Sequence, residues 1–506
     1  MDEAGRAGAI AIKPRRMRCA LTALLVAAAR AVDTIAIDAS AAPSLGLGPI
    51  APDFASFSYE VHCAPAMLTL NGAPRASFVT LMRALQSLGG ARGPNIRVGG
   101  NSADESAYLP PSTPLPPDVK YRIGPADLAA YPTVALWNGS VTLGVNFRGG
   151  NDATLELAHA AAIGAAIPWA SGVVEALEVG NENDLYVEHK YRPASYTGAD
   201  YAAEATAVMA ALATRAAVPP RRFQGATFCC DKLGFDAALP AYYAENQAAL
   251  RSVSYHSYPL NVCNGKAPPS IADLLATAAV TKNVAEMVPR LAAARAASLP
   301  FFIGEGNSVA CGGQAGVSDT FAAALWALDA LLAHAAIGVA RWNWHGCPSG
   351  AYTPIGYDDV TTDVPRVNPL FYGLFAFSTA ARGGLALVNA SIASTSDLVR
   401  AFAGVTAAGE WRVVVLHKDP AAAAAARATV TLPVAAARAC AARAALVRLT
   451  APAADATTGV AFGGATWDGS TTGAPSGAPS SEPVAADADG SFAFLVQPAS
   501  AVVFSC

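Results

Sequence analysis

Charge is scarce in this sequence: only 14% of its 506 residues are Asp, Glu, Lys or Arg, and the formal net charge is −4. Beyond residue 18 no Lys/Arg-dense run remains, which excludes a nucleic-acid-binding face of the usual basic kind. Long apolar runs are missing too. None after the N-terminal segment reaches the ~18 uninterrupted apolar residues of a membrane-spanning helix. Much of the 53% hydrophobic fraction is alanine, which buries little area per residue, so the positive mean hydropathy is not a membrane signal. G-x-G-x-x-G is absent, which removes the dinucleotide fingerprint, and so is the G-x-S-x-G elbow of serine hydrolases. No Cys/His set has structural zinc spacing. Neither a metal nor an organic cofactor is implied.

What is present begins with a targeting pattern. Lys13, Arg15, Arg16 and Arg18 precede an apolar stretch from Cys19 to Ala29, and Ala29-Arg30-Ala31 supplies an A-x-A site. Residues 1–31 therefore read as a secretory signal peptide, with an uncleaved anchor as the plainer alternative, and the expected location is extracellular. Of nine cysteines, eight remain after cleavage, an even number that fits disulfides. Cys440 and Cys506 are the expected pair, because both lie in the C-terminal part. The adjacent Cys229 and Cys230 read as partners in two separate bridges. Asn138 and Asn389 head N-x-S sequons, possible glycan sites if exposed.

The stretch Phe301-Phe302-Ile303-Gly304-Glu305-Gly306-Asn307-Ser308 reads as a buried strand ending at one carboxylate, with flanking glycines leaving open space for a substrate. Val174-Glu175-Ala176-Leu177-Glu178-Val179-Gly180-Asn181-Glu182-Asn183 has the same form. Around them strand and helix patterns alternate. The reading is a (β/α)₈ barrel over 44–378, preceded by a strand at 32–43 that joins a later sheet, and followed by a C-terminal β-sandwich over 379–506. In such a barrel strand-end acids face the active-site mouth. Two carboxyls across one cleft are the minimum equipment for hydrolysing a glycosidic bond, one as nucleophile and one as general acid/base. Asn181 is placed to hydrogen-bond the sugar 2-hydroxyl. A lone strand-end Glu is as easily a solvated or salt-bridged group; the repeated context favours a pair. Trp137, Trp342 and Trp344 are candidate sugar-stacking platforms, and Trp342 and Trp344, at a strand end, read equally as core residues.

These motifs resemble glycoside hydrolase family 79, which holds heparanase and the fungal and bacterial β-glucuronidases. The resemblance is carried by Gly180-Asn181-Glu182, Gly304-Glu305-Gly306-Asn307-Ser308, Gly312-Gly313, Ser318 to Trp326, Ile96 to Asn101, Tyr255-His256-Ser257-Tyr258-Pro259 and Arg366 to Gly373. It implies Glu182 as acid/base and Glu305 as nucleophile. It further implies Tyr258 as hydrogen-bond donor to the nucleophile, Asn101 at the −1 sugar, and Gly312 in the loop whose N–H groups hold a uronic acid carboxylate. Tyr352 would reach the same carboxylate, and His256 would line the site. The chain departs from the family pattern at Asn183, where proline is frequent, and at Ala310, where heparanase-like members carry tyrosine. Val309-Ala310-Cys311 resembles the fungal β-glucuronidase branch. With no basic cluster for a sulfated polymer, the resemblance implies a retaining exo-β-glucuronidase acting on a uronic-acid-bearing carbohydrate. The alternatives are another barrel β-glycosidase (glucosidase or xylosidase), a heparanase-like endo-enzyme, and an inactive carbohydrate-binding protein.

Overall fold

The structure is a computed structural model that describes residues 33–150 and 152–506; the expected signal peptide, 1–31, lies outside the described residues. Eight parallel strands close into a barrel: Ala55–Glu60, Ile96–Gly99, Val141–Val145, Val174–Val179, Phe223–Phe228, Leu250–Ser257, Phe301–Gly306 and Arg341–Gly346. Closure is between the last and first, where His345 registers with Ser58 and Ser58 with Arg97. The two glutamate motifs are the fourth and seventh strands, so Glu182 and Glu305 belong to the same rim. Among the described residues no helix is long and apolar enough to cross a membrane.

The barrel interior is unusually polar. Side chains alternate along a strand, and on Arg341–Gly346 the inward set includes Asn343 and His345. Asn343 Nδ2 donates to Asn95 Oδ1 at 3.0 Å. The outward set, Trp342 and Trp344, stacks at 5.0 Å and meets Trp326 of the helix Phe321–Ile337 edge-on. These two tryptophans are core residues and not sugar platforms; Trp137 is likewise buried, with Nε1 donating to Pro94 O at 2.9 Å. Deep in the barrel, Glu175 accepts from Ser140 at 2.7 Å and pairs with Arg341 and Arg251. Barrels normally concentrate stability at this N-terminal end of the strands.

The C-terminal domain packs a four-stranded sheet on a seven-stranded one. Thr34–Asp38 lies in the former, parallel to Ala426–Thr431 and antiparallel to Ser391–Ser394. The strand Trp411–His417 has no polar face because both faces are covered. Val413 and Val415 join the core between the sheets, whereas Val414 and Leu416 join the cluster that includes the barrel helices. Beneath this face Lys418 Nζ donates to Asp329 at 2.7 Å, both fully buried.

Local chemistry sets several boundaries. The helical spacing over 271–297 is carried by two helices, Ile271–Leu275 and Ala278–Ala296, because Ala276 is extended after a helix capped by Ser270 and Asp273. The helix Leu239–Asn246 is short, and Leu250 already opens the next strand. In the strand Val399–Val405 the small residues Ala401, Ala403 and Gly404 dilute the β pattern.

Candidate active site

Glu305 is held by two hydrogen bonds and flanked by two imidazoles. Its Oε1 accepts from the Tyr258 hydroxyl at 2.8 Å and its Oε2 from Arg97 Nη1 at 2.5 Å. His345 Nδ1 stands 3.5 Å from Oε2 and His256 Nδ1 3.9 Å from Oε1. Burial alone would push this carboxyl up. The charges of His345, His256 and Arg97 and the tyrosine hydrogen bond outweigh it and hold Glu305 well below the usual carboxylate range. The group is an ionised, buried carboxylate.

Arg97 explains why a charge survives there. Its Nε donates to Glu178 Oε1 at 2.7 Å, and its Nη2 donates to the same oxygen at 2.5 Å and to Asn181 Oδ1 at 2.8 Å. Burial opposes its charge, yet Glu178 and Glu305 together keep its guanidinium more firmly protonated than a free arginine. Glu178 is shared onward with Gln224 Nε2 at 2.6 Å. One cation thus joins the Glu305 strand, the Glu178 strand and the asparagine beside Glu182.

Glu182 begins the helical turn Asn183–Leu185 with left-handed backbone angles, φ 49° and ψ 51°. Its Oε1 is 2.9 Å from His256 Nδ1. One oxygen each from Glu182 and Glu305 and one ring nitrogen of His256 all lie within 4.8 Å of one another. A carboxyl separation of ~5–5.5 Å is the retaining geometry, in which the second carboxylate reaches the anomeric carbon without an intervening water. A cation could use the same donor spacing, but the Arg97 guanidinium already occupies Glu305 Oε2.

The other expected site residues gather on the same rim. Asn101 Oδ1 accepts from Asn181 Nδ2 at 3.1 Å, which sets two amides side by side. Tyr352 packs against His345 with ring centroids 6.0 Å apart, and its backbone carbonyl accepts from Asn307 at 2.9 Å. Burial pushes the Tyr258 and Tyr352 phenols above their ordinary values, so both remain donors. Gly312 is exposed at φ 94° with open space where a Cβ would sit. Cys311 beside it is bonded to Cys263, and the short strand Val309–Ala310 pairs with Leu260–Asn261.

One expectation is corrected here. The glycines flanking Glu305 do not leave room for substrate: a Cβ on Gly304 would strike Ser254 Oγ, and one on Gly306 would sit 2.7 Å from Ser257 O. They permit close strand packing that brings His256 level with Glu305. Cys229 and Cys230 also differ, since they pair with each other; the remaining bridges are Cys63–Cys347 and the expected Cys440–Cys506.

Sequence reasoning missed Arg97, Glu178, Glu60 and His345 as site residues. Glu60 accepts from the Ser102 amide at 2.8 Å and lies 3.7 Å from His345 Nε2. Although burial opposes it, the Glu305 and Glu60 carboxylates raise the His345 imidazole above its ordinary value. The available signal was a charged residue inside an otherwise apolar barrel strand, as at Arg97 in Ile96-Arg97-Val98.

The chain is similar to several known proteins. Residues 401–503 match the family model described as the glycosyl hydrolase family 79 C-terminal beta domain. A β-glucuronidase of Aspergillus niger is 26% identical over 399 residues, 73% of this chain and 72% of that one. The crystal structure of a 4-O-α-L-rhamnosyl-β-D-glucuronidase from Fusarium oxysporum superposes with a TM-score of 0.76 at 20% identity, covering 93% of this chain and 100% of that one. An α-L-arabinofuranosidase from Thermotoga maritima reaches 0.64 at 13% identity, over 94% and 99%. At these identities the two structures speak to the fold.

Proposed function

We propose that this family 79-like glycoside hydrolase is a secreted, retaining exo-β-glucuronidase that releases terminal β-D-glucuronic acid, or its 4-O-methyl derivative, by double displacement. The observation that carries the reading is the pairing of Glu182 with Glu305 within 4.8 Å, with Arg97 and Tyr258 on the latter. Glu305, kept ionised, attacks the anomeric carbon while Glu182 gives its proton to the departing oxygen. Glu182 then takes a proton from the water that opens the glycosyl-enzyme. Asn181 and Asn101 face the sugar hydroxyls from the acid side. The Gly312 loop and the Tyr352 phenol supply uncharged donors for the uronate carboxylate. Acceptance of a β-glucuronide is further supported by the Aspergillus niger relative. The paired cysteines support an oxidising, extracellular setting.

The test is a panel of aryl glycosides on the purified protein. An aryl β-glucuronide should be turned over far faster than the matching glucoside or xyloside; the reverse order makes this another barrel β-glycosidase. Mid-chain products from a glycosaminoglycan would instead mark endo action. Glu305→Ala should abolish turnover of the aryl glucuronide, and azide should restore it with an inverted glucuronyl azide as product.

A further inference from the structure

The acid/base side chain stands on a backbone conformation it would not choose. A non-glycine residue in the left-handed region costs on the order of 1–2 kcal/mol, and Glu182 occupies it at φ 49°. Its neighbours hold it there. On one side the Asn181 amide donates to Asp104 Oδ2 at 3.0 Å. On the other side is Asp184, two residues on and 1% exposed.

The hydrogen bonds of the Asp184 carboxylate go to backbone amides rather than to Glu182 or Glu305. Its Oδ2 accepts the Cys230 and Asp231 amides at 2.8 and 2.9 Å, and its Oδ1 accepts the Cys229 amide at 3.1 Å. Three consecutive N–H groups of the loop after the fifth barrel strand therefore converge on one buried carboxylate, the arrangement of a backbone anion nest. The loop is itself constrained by the Cys229–Cys230 bond and by Asp231 Oδ1, which accepts the Asp236 amide at 2.8 Å. Because the Leu185 amide donates to Glu182 O at 2.8 Å, the turn carrying Asp184 and the backbone of Glu182 move as one piece.

We infer that Asp184, clamped by the vicinal-cysteine loop, is a positioning residue that, through the backbone, aims Glu182 at the leaving-group oxygen, alongside the direct contact from His256. The inference rests on Glu182 being the acid. Loss of aim penalises the step that needs the proton and spares the step that does not. A dinitrophenyl glucuronide departs with little protonic help, whereas a phenyl glucuronide requires it.

The experiment measures kcat/KM for both substrates in the wild type, E182Q and D184N, with thermal unfolding to establish that each variant is folded. E182Q should lose much more on phenyl than on dinitrophenyl glucuronide. D184N should show the same selectivity at smaller size, roughly 10- to 100-fold, as expected for a misplaced catalytic group. A folded D184N that loses equally on both substrates, or on neither, overturns the inference. An unselective E182Q instead overturns the acid assignment beneath it. Where D184N does not fold, C229S/C230S keeps every amide and loosens only the loop; selective loss supports the inference and unselective behaviour overturns it.

Discussion

Arg97 Nη1 stands 2.5 Å from Glu305 Oε2, with the arginine side chain wholly buried and the glutamate nearly so. A buried carboxylate without a cation is strongly disfavoured, and removing one partner of such a pair typically costs ~3–5 kcal/mol. Arg97→Met should therefore lower the unfolding midpoint sharply and reduce kcat/KM by at least about 100-fold. The sign of the pH dependence follows. Glu305 has a depressed folded pKa, so its contribution to stability is present above the unfolded carboxyl value of ~4.3 and is lost as pH falls below it. In Arg97→Met that acid-side loss should shrink, as denaturant titrations between pH 3 and 6 can read.

Glu156 titrates with the opposite sign. Among the described residues neither of its buried carboxylate oxygens has a hydrogen-bond partner, and burial pushes the group up to about 8. A raised carboxyl favours the fold fully below its unfolded value, and that support disappears as pH rises through about 8. Glu156→Gln should then match the wild type near pH 4 and exceed it at pH 8, by on the order of a few kcal/mol. Equal pH slopes for the two proteins in urea would contradict this.

The Tyr258 hydroxyl, donating to Glu305 Oε1 at 2.8 Å, holds the carboxylate in the orientation from which it would attack. A hydrogen bond to a charged group contributes ~1.5–3 kcal/mol. Tyr258→Phe should lower kcat by about 10- to 100-fold with little change in KM, measured on an aryl glucuronide.

The Cys263–Cys311 bridge ties the loop bearing Gly312 to the strand Leu260–Asn261. If that loop holds the uronate carboxylate, C263S/C311S should raise KM for an aryl glucuronide by about tenfold, equivalent to ~1.4 kcal/mol. Steady-state kinetics should show kcat nearly unchanged.

The two acids were legible because each closes an apolar run at a Gly-Asn-Glu or Gly-Glu-Gly turn, where barrel topology dictates a common mouth. Arg97, Glu178 and His345 were not, because their partners come from other strands and only closure of the barrel brings them together. The flanking glycines looked like space for a ligand and are instead occupied by neighbouring strands, a contact that no local pattern encodes. Trp342 and Trp344 were undecided for the same reason. Period-two alternation sets their face, and only His345 on the opposite face reveals which side is inward. The strand Val399–Val405 escaped because alanine and glycine carry little β signal, although pairing with Trp411–His417 fixes all seven positions.

Double displacement requires that Glu305 bond to the sugar. Incubation with a 2-deoxy-2-fluoro-glucuronyl fluoride, followed by proteolysis and mass spectrometry, reads this directly. The expected result is one covalent fluoroglucuronyl group on the peptide bearing Glu305, and none in Glu305→Ala. Label on another residue, or release of the inverted sugar from ordinary substrate without any trapped adduct, would contradict it.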